Sequence, residues 1–283
     1  MPTRLEEIIA ATRERVAATC SSLDLPALTA AAERYRPRPF REGLRRAAES
    51  GIAVIAELKK ASPSKGLIRE DFPVADLARD LESAGAAALS VLTDQQFFQG
   101  SLENLEIASQ ATQLPCLRKD FIVDEVQLTE ARAHHADAVL LIVAALMQDE
   151  LATLSAHAGE LHLDVLCEVH DADELQRALD AGCSIIGVNN RNLHTFQVDL
   201  NTSLRLVEKI PHGVIKVAES GIATGDDIAR LRQAGFDAFL IGESLMRTPR
   251  PGEALQALLD GVGGGCPGTR GFRDPGIRDR SSS

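Results

Sequence analysis

The sequence predicts an α/β fold in which eight parallel strands, each followed by a helix, close into a single (β/α)8 TIM barrel. The chain has 283 residues, and barrels of this class commonly form one domain of about 250 residues. Short runs rich in Val, Ile and Leu alternate with longer amphipathic segments, which is the pattern of repeated βαβ units around a parallel sheet. Several helical segments end in glycine just before a strand, where glycine adopts a left-handed helix end at least cost.

Eight apolar runs supply the candidate strands, with room for a helix and two short loops between neighbours. The runs are residues 54–59, 88–93, 116–121, 138–143, 164–169, 185–190, 214–220 and 238–243. Asp124 and Asp171 begin two linking helices and precede acidic residues, as helix N-caps commonly do. Gly85, Gly182 and Gly235 end three others. Spacing alone also allows a doubly wound open sheet, but no glycine-rich phosphate turn follows the first run.

Two segments flank the barrel residues, which we place at 52–262. Residues 1–51 contain at least two helical patterns, at about 4–20 and 40–49, and we expect this extension to cap one end of the barrel. Residues 263–283 are rich in Gly, Arg, Asp and Ser with almost nothing to bury, so we expect a disordered tail.

Composition favours a cytoplasmic protein with a small-molecule ligand. Thirty basic and 41 acidic residues give a net charge of −11, which repels nucleic acid. The five cysteines form no C-x-x-C pair, which disfavours a zinc site or a disulfide framework and fits a reducing compartment. The N-terminus lacks the apolar core of a signal peptide, and no apolar run approaches the ~20 residues of a membrane span. We therefore expect a soluble protein that binds neither nucleic acid nor membrane.

Polar residues stand late in several apolar runs, where barrel enzymes carry their active sites. These residues are Glu57 and Lys59 in the first run, Lys119 in the third, Glu168 in the fifth, Asn189 in the sixth, and Glu219 and Ser220 in the seventh. Any one of them alone is explained equally well by a solvated strand end or a local ion pair. Unpaired buried charges are costly, so several together indicate a hydrogen-bonded network or a reaction site. Arg118 and Asp120 alternate with Lys119, and we expect them to face the helices or a neighbouring loop.

Gly221 and Gly242 follow the last two runs near a helix start, which is the usual position of a barrel phosphate site, although both glycines could simply turn the chain. The histidines show no metal-ligand spacing, so we expect them on the surface or in loops and expect no metal. Four apolar residues at or beyond strand ends either line a pocket for an aromatic ligand or extend the core, and spacing alone favours the core. They are Phe98, Phe121, Leu140 and Leu193.

Residues 55–66, IAELKKASPSKG, resemble the signature of indole-3-glycerol-phosphate synthases, which reads (I/V)AE-x-K-x-x-SPS-x-G. The resemblance continues through RKDFI at 118–122, GVNNRNL at 187–193, AESGI at 218–222 and IGESLM at 241–246. It covers residues from about 4 to 260 in the order of the family. The resemblance implies a cofactor-free enzyme that converts 1-(2-carboxyphenylamino)-1-deoxyribulose 5-phosphate to indole-3-glycerol phosphate, with loss of carbon dioxide and water.

The resemblance also implies roles for the polar residues. Lys119 matches the general acid and Glu168 the general base, while Lys59 matches a lysine that contacts the substrate carboxylate or phosphate and can act in dehydration. Which lysine serves which step stays open. Glu57 and Asn189 match residues that orient these groups. Partial burial and neighbouring cations would lower the pKa of such a lysine.

The substrate contacts follow from the same resemblance. The polar contacts are Glu219 and Ser220 on the substrate, and Ser62, Arg191 and the backbone near Gly221, Gly242 and Glu243 on its phosphate. Phe98, Phe121, Leu140 and Leu193 would hold the ring. Some relatives carry Ser where this chain has Glu243, whose side chain must point away if its N–H is to serve. We expect a monomer that associates at most weakly with other enzymes of the tryptophan pathway.

Two enzyme classes and one non-enzyme class compete with this interpretation. Phosphoribosylanthranilate isomerase and the tryptophan synthase α chain are also phosphate-binding barrels, but the SPS loop after Lys59 and the string around Lys119 argue against both. A non-catalytic ligand-binding barrel would have no need for this set of proton-transfer groups, which comprises Glu57, Lys59, Lys119, Glu168 and Asn189.

Overall fold

A computed structural model describes residues 3–20, 22–192 and 195–263. Three helices precede the first strand: α1 (Arg4–Cys20), α2 (Leu25–Arg34) and α3 (Phe40–Ser50). The sequence predicts α1 and α3, whereas it does not single out α2, which begins where the Asp24 side chain accepts a hydrogen bond from the Ala27 N–H. The predicted tail beyond Gly263 lies outside the described residues.

Eight parallel strands form a closed barrel, which confirms the predicted fold class. They are β1 (Ala53–Leu58), β2 (Ala88–Leu92), β3 (Cys116–Lys119), β4 (Ala138–Ile142), β5 (Asp164–Val169), β6 (Ile185–Asn189), β7 (Ile215–Glu219) and β8 (Ala238–Ile241). Each strand pairs with its neighbours in the chain, and β1 pairs with β8 to close the ring. Most strands end one or two residues before the predicted boundary, because the last polar residues already belong to the loops.

Helices follow the strands as predicted. They are α4 (Val74–Ser83), α5 (Gln95–Phe98), α6 (Leu102–Ala111), α7 (Glu125–Ala133), α8 (Gln148–Glu160), α9 (Ala172–Asp180), α10 (Asn201–Leu206), α11 (Gly225–Ala234), α12 (Glu243–Met246) and α13 (Pro251–Gly263). Asp124 and Asp171 accept the capping hydrogen bonds of α7 and α9. Gly85, Gly182 and Gly235 adopt positive φ at three helix ends. A two-stranded hairpin, Ala61–Ser62 with Gly66–Leu67, was not predicted and shapes the loop after β1.

Alternation along the strands decides which side chains enter the barrel. In β1, Ile55 packs in the interior cluster while Val54 and Ala56 pack against the helices. Because side chains of a strand alternate between its faces, Glu57 and Lys59 continue the interior row toward the carboxyl end. Phe40 and Leu44 of α3 are fully buried in the same interior cluster, so α3 closes the opposite end. None of the helices in the part of the chain that the structure describes combines the length and apolar content needed to cross a membrane.

A buried carboxylate ties the N-terminal extension to the barrel. Asp137 is fully buried and accepts hydrogen bonds from the Tyr35 hydroxyl at 2.7 Å and from the Cys116 N–H at 2.6 Å. The Arg38 guanidinium lies 2.9 Å from its second oxygen. Burial, followed by the Asp137 charge, raises the pKa of Tyr35 above its ordinary value, which keeps this hydroxyl a donor.

We expect Asp137→Asn to lower the free energy of unfolding by about 3 kcal/mol, because it leaves Arg38 without its charged partner in a mostly buried site. Urea unfolding of the wild type and the variant measures the change. Asp76→Asn is the matched control, because Asp76 forms an exposed ion pair with Arg79 within one helix and its loss should cost at most about 0.5 kcal/mol. Equal stability of the two variants would contradict the assigned role of Asp137.

Candidate active site

One cavity of about 580 Å³ opens at the carboxyl ends of the barrel strands. Fifteen of the sixteen sequence-predicted site residues line it, and the remaining one, Leu193, lies outside the described residues. The lining residues are Glu57, Lys59, Ser62, Phe98, Lys119, Phe121, Leu140, Glu168, Asn189, Arg191, Glu219, Ser220, Gly221, Gly242 and Glu243. Residues from separate strands therefore meet around a single space.

Lys119 lies at the centre of the polar network. Its Nζ is 2.9 Å from Glu168 Oε2 and 3.2 Å from Glu219 Oε2. The Asn189 amide donates to Glu168 Oε1 at 3.0 Å and so fixes the orientation of that carboxylate. All four side chains come from interior positions of β3, β5, β6 and β7, which explains why they converge.

The charges around Lys119 reverse one expectation from the sequence. Burial disfavours the ammonium, but the surrounding carboxylates, Glu168 foremost, outweigh burial and raise the pKa of Lys119 above its ordinary value. The expectation that its environment lowers the pKa is wrong for this residue, because its near neighbours are anions rather than cations. Lys119 is therefore held in its protonated form at neutral pH, which is the form that a proton donor requires.

The two carboxylates beside Lys119 differ in ionisation. Burial opposes the charged form of Glu168, but Lys119 and His170 outweigh burial and lower the pKa of Glu168 to about 2. Burial, together with the charge of Glu168, raises the pKa of Glu219 to about 7. Glu168 is thus an anion across the physiological range, whereas Glu219 changes its charge near neutral pH.

His170 is a neighbour of the network that sequence reasoning missed. It lies in the loop after β5, which agrees with the predicted loop position, but its side chain is only 14% exposed and its Nε2 lies 3.5 Å from Glu168 Oε1. Its Nδ1 lies 3.0 Å from Glu174 Oε2. Its position two residues after Glu168 at a strand end was the available signal, since such residues point to the same side.

A second ion pair and two glycines lie close to the carboxylates of the site. Lys59 Nζ lies 2.5 Å from Glu57 Oε1. A Cβ on Gly242 would lie 2.8 Å from the Glu57 Cβ, and a Cβ on Gly187 would collide with the Glu219 carboxylate. Both positions therefore require glycine for the carboxylates to reach their places.

One side of the cavity presents hydrogen-bonding groups suited to an anion. The buried Ser62 Oγ has no hydrogen-bond partner among the described residues and borders the cavity. Ser220 and Gly221 both have positive φ, which costs a non-glycine residue about 1 kcal/mol or more. The Asn190 amide donates to the Ser220 carbonyl oxygen at 3.2 Å and holds this turn in place.

Glu243 does not point away as the sequence argument requires. Its Oε2 lies 3.5 Å from Arg191 Nη2, and its Oε1 lies 3.1 Å from Arg247 Nε. The side chain turns toward these cations because they surround its position at the start of α12. Arg247 and Lys65 also line the cavity, and neither was among the predicted site residues.

The opposite side of the cavity is apolar. Phe98 and Phe121 lie with ring centroids 6.2 Å apart, and Leu140 borders the same space. These side chains line the pocket rather than only extending the core. Leu5 and Ile8 of α1 also line the cavity, a contribution that local patterns in the sequence could not reveal.

Arg118 and Asp120 pair with each other, with nitrogen and oxygen 2.9 Å apart. Arg118 also donates to the Gln127 carbonyl oxygen in α7, so it faces the helices as expected, while Asp120 borders the cavity as well. Within the described ranges, no group of three His, Cys, Asp or Glu side chains is placed to bind a metal ion.

Solved structures with low sequence identity share the barrel. A crystal structure of KGPDC from Streptococcus mutans is 14% identical, with a TM-score of 0.57, and covers 75% of this chain and 97% of that one. A thiamine phosphate pyrophosphorylase from Pyrococcus furiosus is 18% identical, also with a TM-score of 0.57, over 77% of this chain and 97% of that one. At such identities the likeness shows the fold alone.

Sequence comparison gives a more specific result. The family model described as indole-3-glycerol phosphate synthase matches residues 5–258. A protein of that name from Koribacter versatilis (strain Ellin345) is 57% identical over 259 residues, or 92% of this chain and 100% of that protein. Another from Polaromonas naphthalenivorans (strain CJ2) is 50% identical over 257 residues, or 90% of this chain and 98% of that protein.

Proposed function

This chain belongs to the indole-3-glycerol phosphate synthase family, and on that premise we propose that it closes the indole ring of tryptophan biosynthesis with the charged residues of this cavity. The substrate is 1-(2-carboxyphenylamino)-1-deoxyribulose 5-phosphate, and the products are indole-3-glycerol phosphate, carbon dioxide and water. The reaction makes the chain a decarboxylating lyase. The observation that carries the proposal is the contact of Lys119 with Glu168 inside one cavity that also has an apolar wall.

Lys119 is the proposed general acid of ring closure. The attack of the aromatic ring carbon on the ribulose carbonyl places negative charge on the carbonyl oxygen, which must gain a proton. A fully protonated lysine at the centre of the cavity can donate it and stabilise the developing charge. The substrate carboxylate then departs as carbon dioxide, which restores the aromatic ring.

Glu168 is the proposed general base, since it stays ionised at neutral pH. Asn189 holds its Oε1, and Glu57 holds Lys59 at the other side of the cavity. Lys59 is positioned to contact a substrate anion and to assist dehydration.

The two walls of the cavity suit the two ends of the substrate. Ser62, Arg191 and the backbone of Gly221, Gly242 and Glu243 are the proposed phosphate contacts, while Glu219 and Ser220 contact the substrate beside the reacting groups. The aromatic ring would lie against Phe98, Phe121 and Leu140, with Leu193 assigned to the same wall on the family resemblance alone.

The proposal extends to the domain organisation, the cellular location and the oligomeric state. Residues 52–262 form the barrel and residues 1–51 an extension that caps it, which the α1 side chains at the cavity support. We expect a cytoplasmic monomer that needs no metal or cofactor and associates at most weakly with other enzymes of the pathway. The free thiols of Cys116, Cys167 and Cys183 support a reducing compartment.

Turnover of the carboxyphenylamino-deoxyribulose phosphate, followed by the fluorescence of the indole product, tests the proposed function. We expect the purified wild type to produce indole-3-glycerol phosphate without added metal, including in the presence of a chelator. A folded protein that binds this compound without converting it would instead support a ligand-binding barrel. The proton-transfer groups that surround Lys119 disfavour that second interpretation.

A further inference from the structure

Glu243 stands among three basic side chains that border the proposed phosphate end of the cavity. Arg191 and Arg247 lie at 3.5 and 3.1 Å from its carboxylate oxygens, and Lys65 Nζ lies 4.0 Å from Oε1. The cations come from the loop after β1, the loop after β6 and the end of α12. For each of them, Glu243 is the sole acidic ion-pair partner within the described part of the chain.

We propose that the Glu243 carboxylate competes with the substrate phosphate for these cations, and that this residue thereby sets the affinity of the site for phosphorylated ligands. The inference rests on the proposed function, because that proposal places the phosphate beside Arg191. A phosphate dianion needs the same N–H donors that now contact Glu243. Two anions cannot share them without strong like-charge repulsion, so phosphate must displace the side chain.

The geometry makes this displacement feasible. Glu243 is the first residue of the short helix α12, and its side chain is 26% exposed, so it has space to rotate away from the cavity. Its backbone N–H stays in place when the side chain rotates, and can still serve the phosphate. A carboxylate tethered beside the site acts at a high effective concentration, which weakens the apparent affinity of a free anion.

A purely local role for Glu243 is the alternative. An acidic residue in the first turn of a helix, paired with a base four residues later, also stabilises the helix itself. That role predicts a change in thermal stability on substitution and no gain in phosphate affinity. Competition between Glu243 and phosphate predicts a gain in phosphate affinity.

Isothermal titration with inorganic phosphate separates the two roles. We expect Glu243→Gln and Glu243→Ser to bind phosphate about 5- to 20-fold more tightly than the wild type. This gain lies at the lower end of the changes in affinity that one site usually causes at another, because the ion pairs of Glu243 are partly exposed. Glu243→Asp, which keeps the charge, should stay closer to the wild type. Glu253→Gln is the matched control, since Glu253 lies in the first turn of α13 and pairs with exposed Arg250.

The outcomes decide the inference without relying on catalysis. Unchanged, weaker or undetectable phosphate binding in Glu243→Gln would overturn it. In turnover assays we expect KM to fall in Glu243→Gln. If no variant converts the substrate but Glu243→Gln still gains phosphate affinity, the proposed function fails and the competition stands.

Discussion

Lys119→Met is expected to lower kcat by at least ~10²-fold, because it removes the proposed proton donor while keeping the length and apolar character of the stem. Ring closure would then leave the carbonyl oxygen without a nearby acid, and no other lysine has its Nζ between Glu168 and Glu219 in the described structure. Steady-state turnover followed by indole fluorescence measures the loss. Lys209→Met is the control, because Lys209 is exposed outside the cavity, and it should retain wild-type kcat.

The same variant should alter the pH dependence of stability. In the wild type, Lys119 helps to hold the pKa of Glu168 at about 2, below the ordinary value of 4.5. A depressed carboxyl pKa stabilises the fold above pH 4.5, and this contribution is lost as the pH falls toward 2. Without Lys119, the strongest interaction that lowers the pKa of Glu168 is removed, so much of this contribution to stability is lost.

We therefore expect the difference in unfolding free energy between the wild type and Lys119→Met to be largest near pH 7 and to narrow as the pH falls through 4 to 3. Urea unfolding across this range gives the comparison. If the difference in unfolding free energy between the two proteins does not change with pH, Lys119 does not control the ionisation of Glu168, whatever its effect on turnover.

Glu168→Gln is the second substitution for which we expect a large effect, again a loss of at least ~10²-fold in kcat. The amide keeps the size of the side chain and can still accept from Asn189, but it cannot take up a proton. KM should change less than kcat, because Glu168 acts on the reacting atoms rather than on the phosphate. Initial rates over a range of substrate concentrations separate the two constants.

Glu160→Gln is the matched control for Glu168→Gln, because Glu160 is exposed near His157 and far from the cavity lining. Glu160→Gln should convert the substrate with the wild-type kcat. If Glu168→Gln retains more than about a tenth of the wild-type kcat while Lys119→Met is inactive, a different group must serve as base. Glu219, the second carboxylate beside Lys119, would then be the first residue to test.

Local patterns in the sequence were sufficient to locate most of the site residues. Apolar runs of strand length and glycine helix ends predict the alternating barrel, and side-chain alternation places Glu57 and Lys59 on one face of β1. That face could be predicted because alternation depends on neighbouring residues alone. The sequence motifs shared with the family are local as well, so they identified the cavity residues without any knowledge of their contacts.

Other features required contacts between distant parts of the chain. The hairpin after β1 and the part of α1 that borders the cavity depend on what packs above the barrel, which no local pattern encodes. The burial of His170 beside Glu168 and the turn of Glu243 toward Arg191 depend on charges that approach only when the ring of strands closes. Local patterns therefore did not give the surroundings of either side chain.

The sequence by itself determined the eight-strand repeat, the inward faces of the strands and the chemical kinds of side chain available at the mouth. The tertiary structure alone decided how those groups ionise, as in the raised pKa of Lys119 and the divergent pKa values of Glu168 and Glu219. Coulomb energies fall with distance and rise with burial, and both quantities are set by residues from different strands. The pattern of residues along the sequence gives neither the distances between these charges nor their burial.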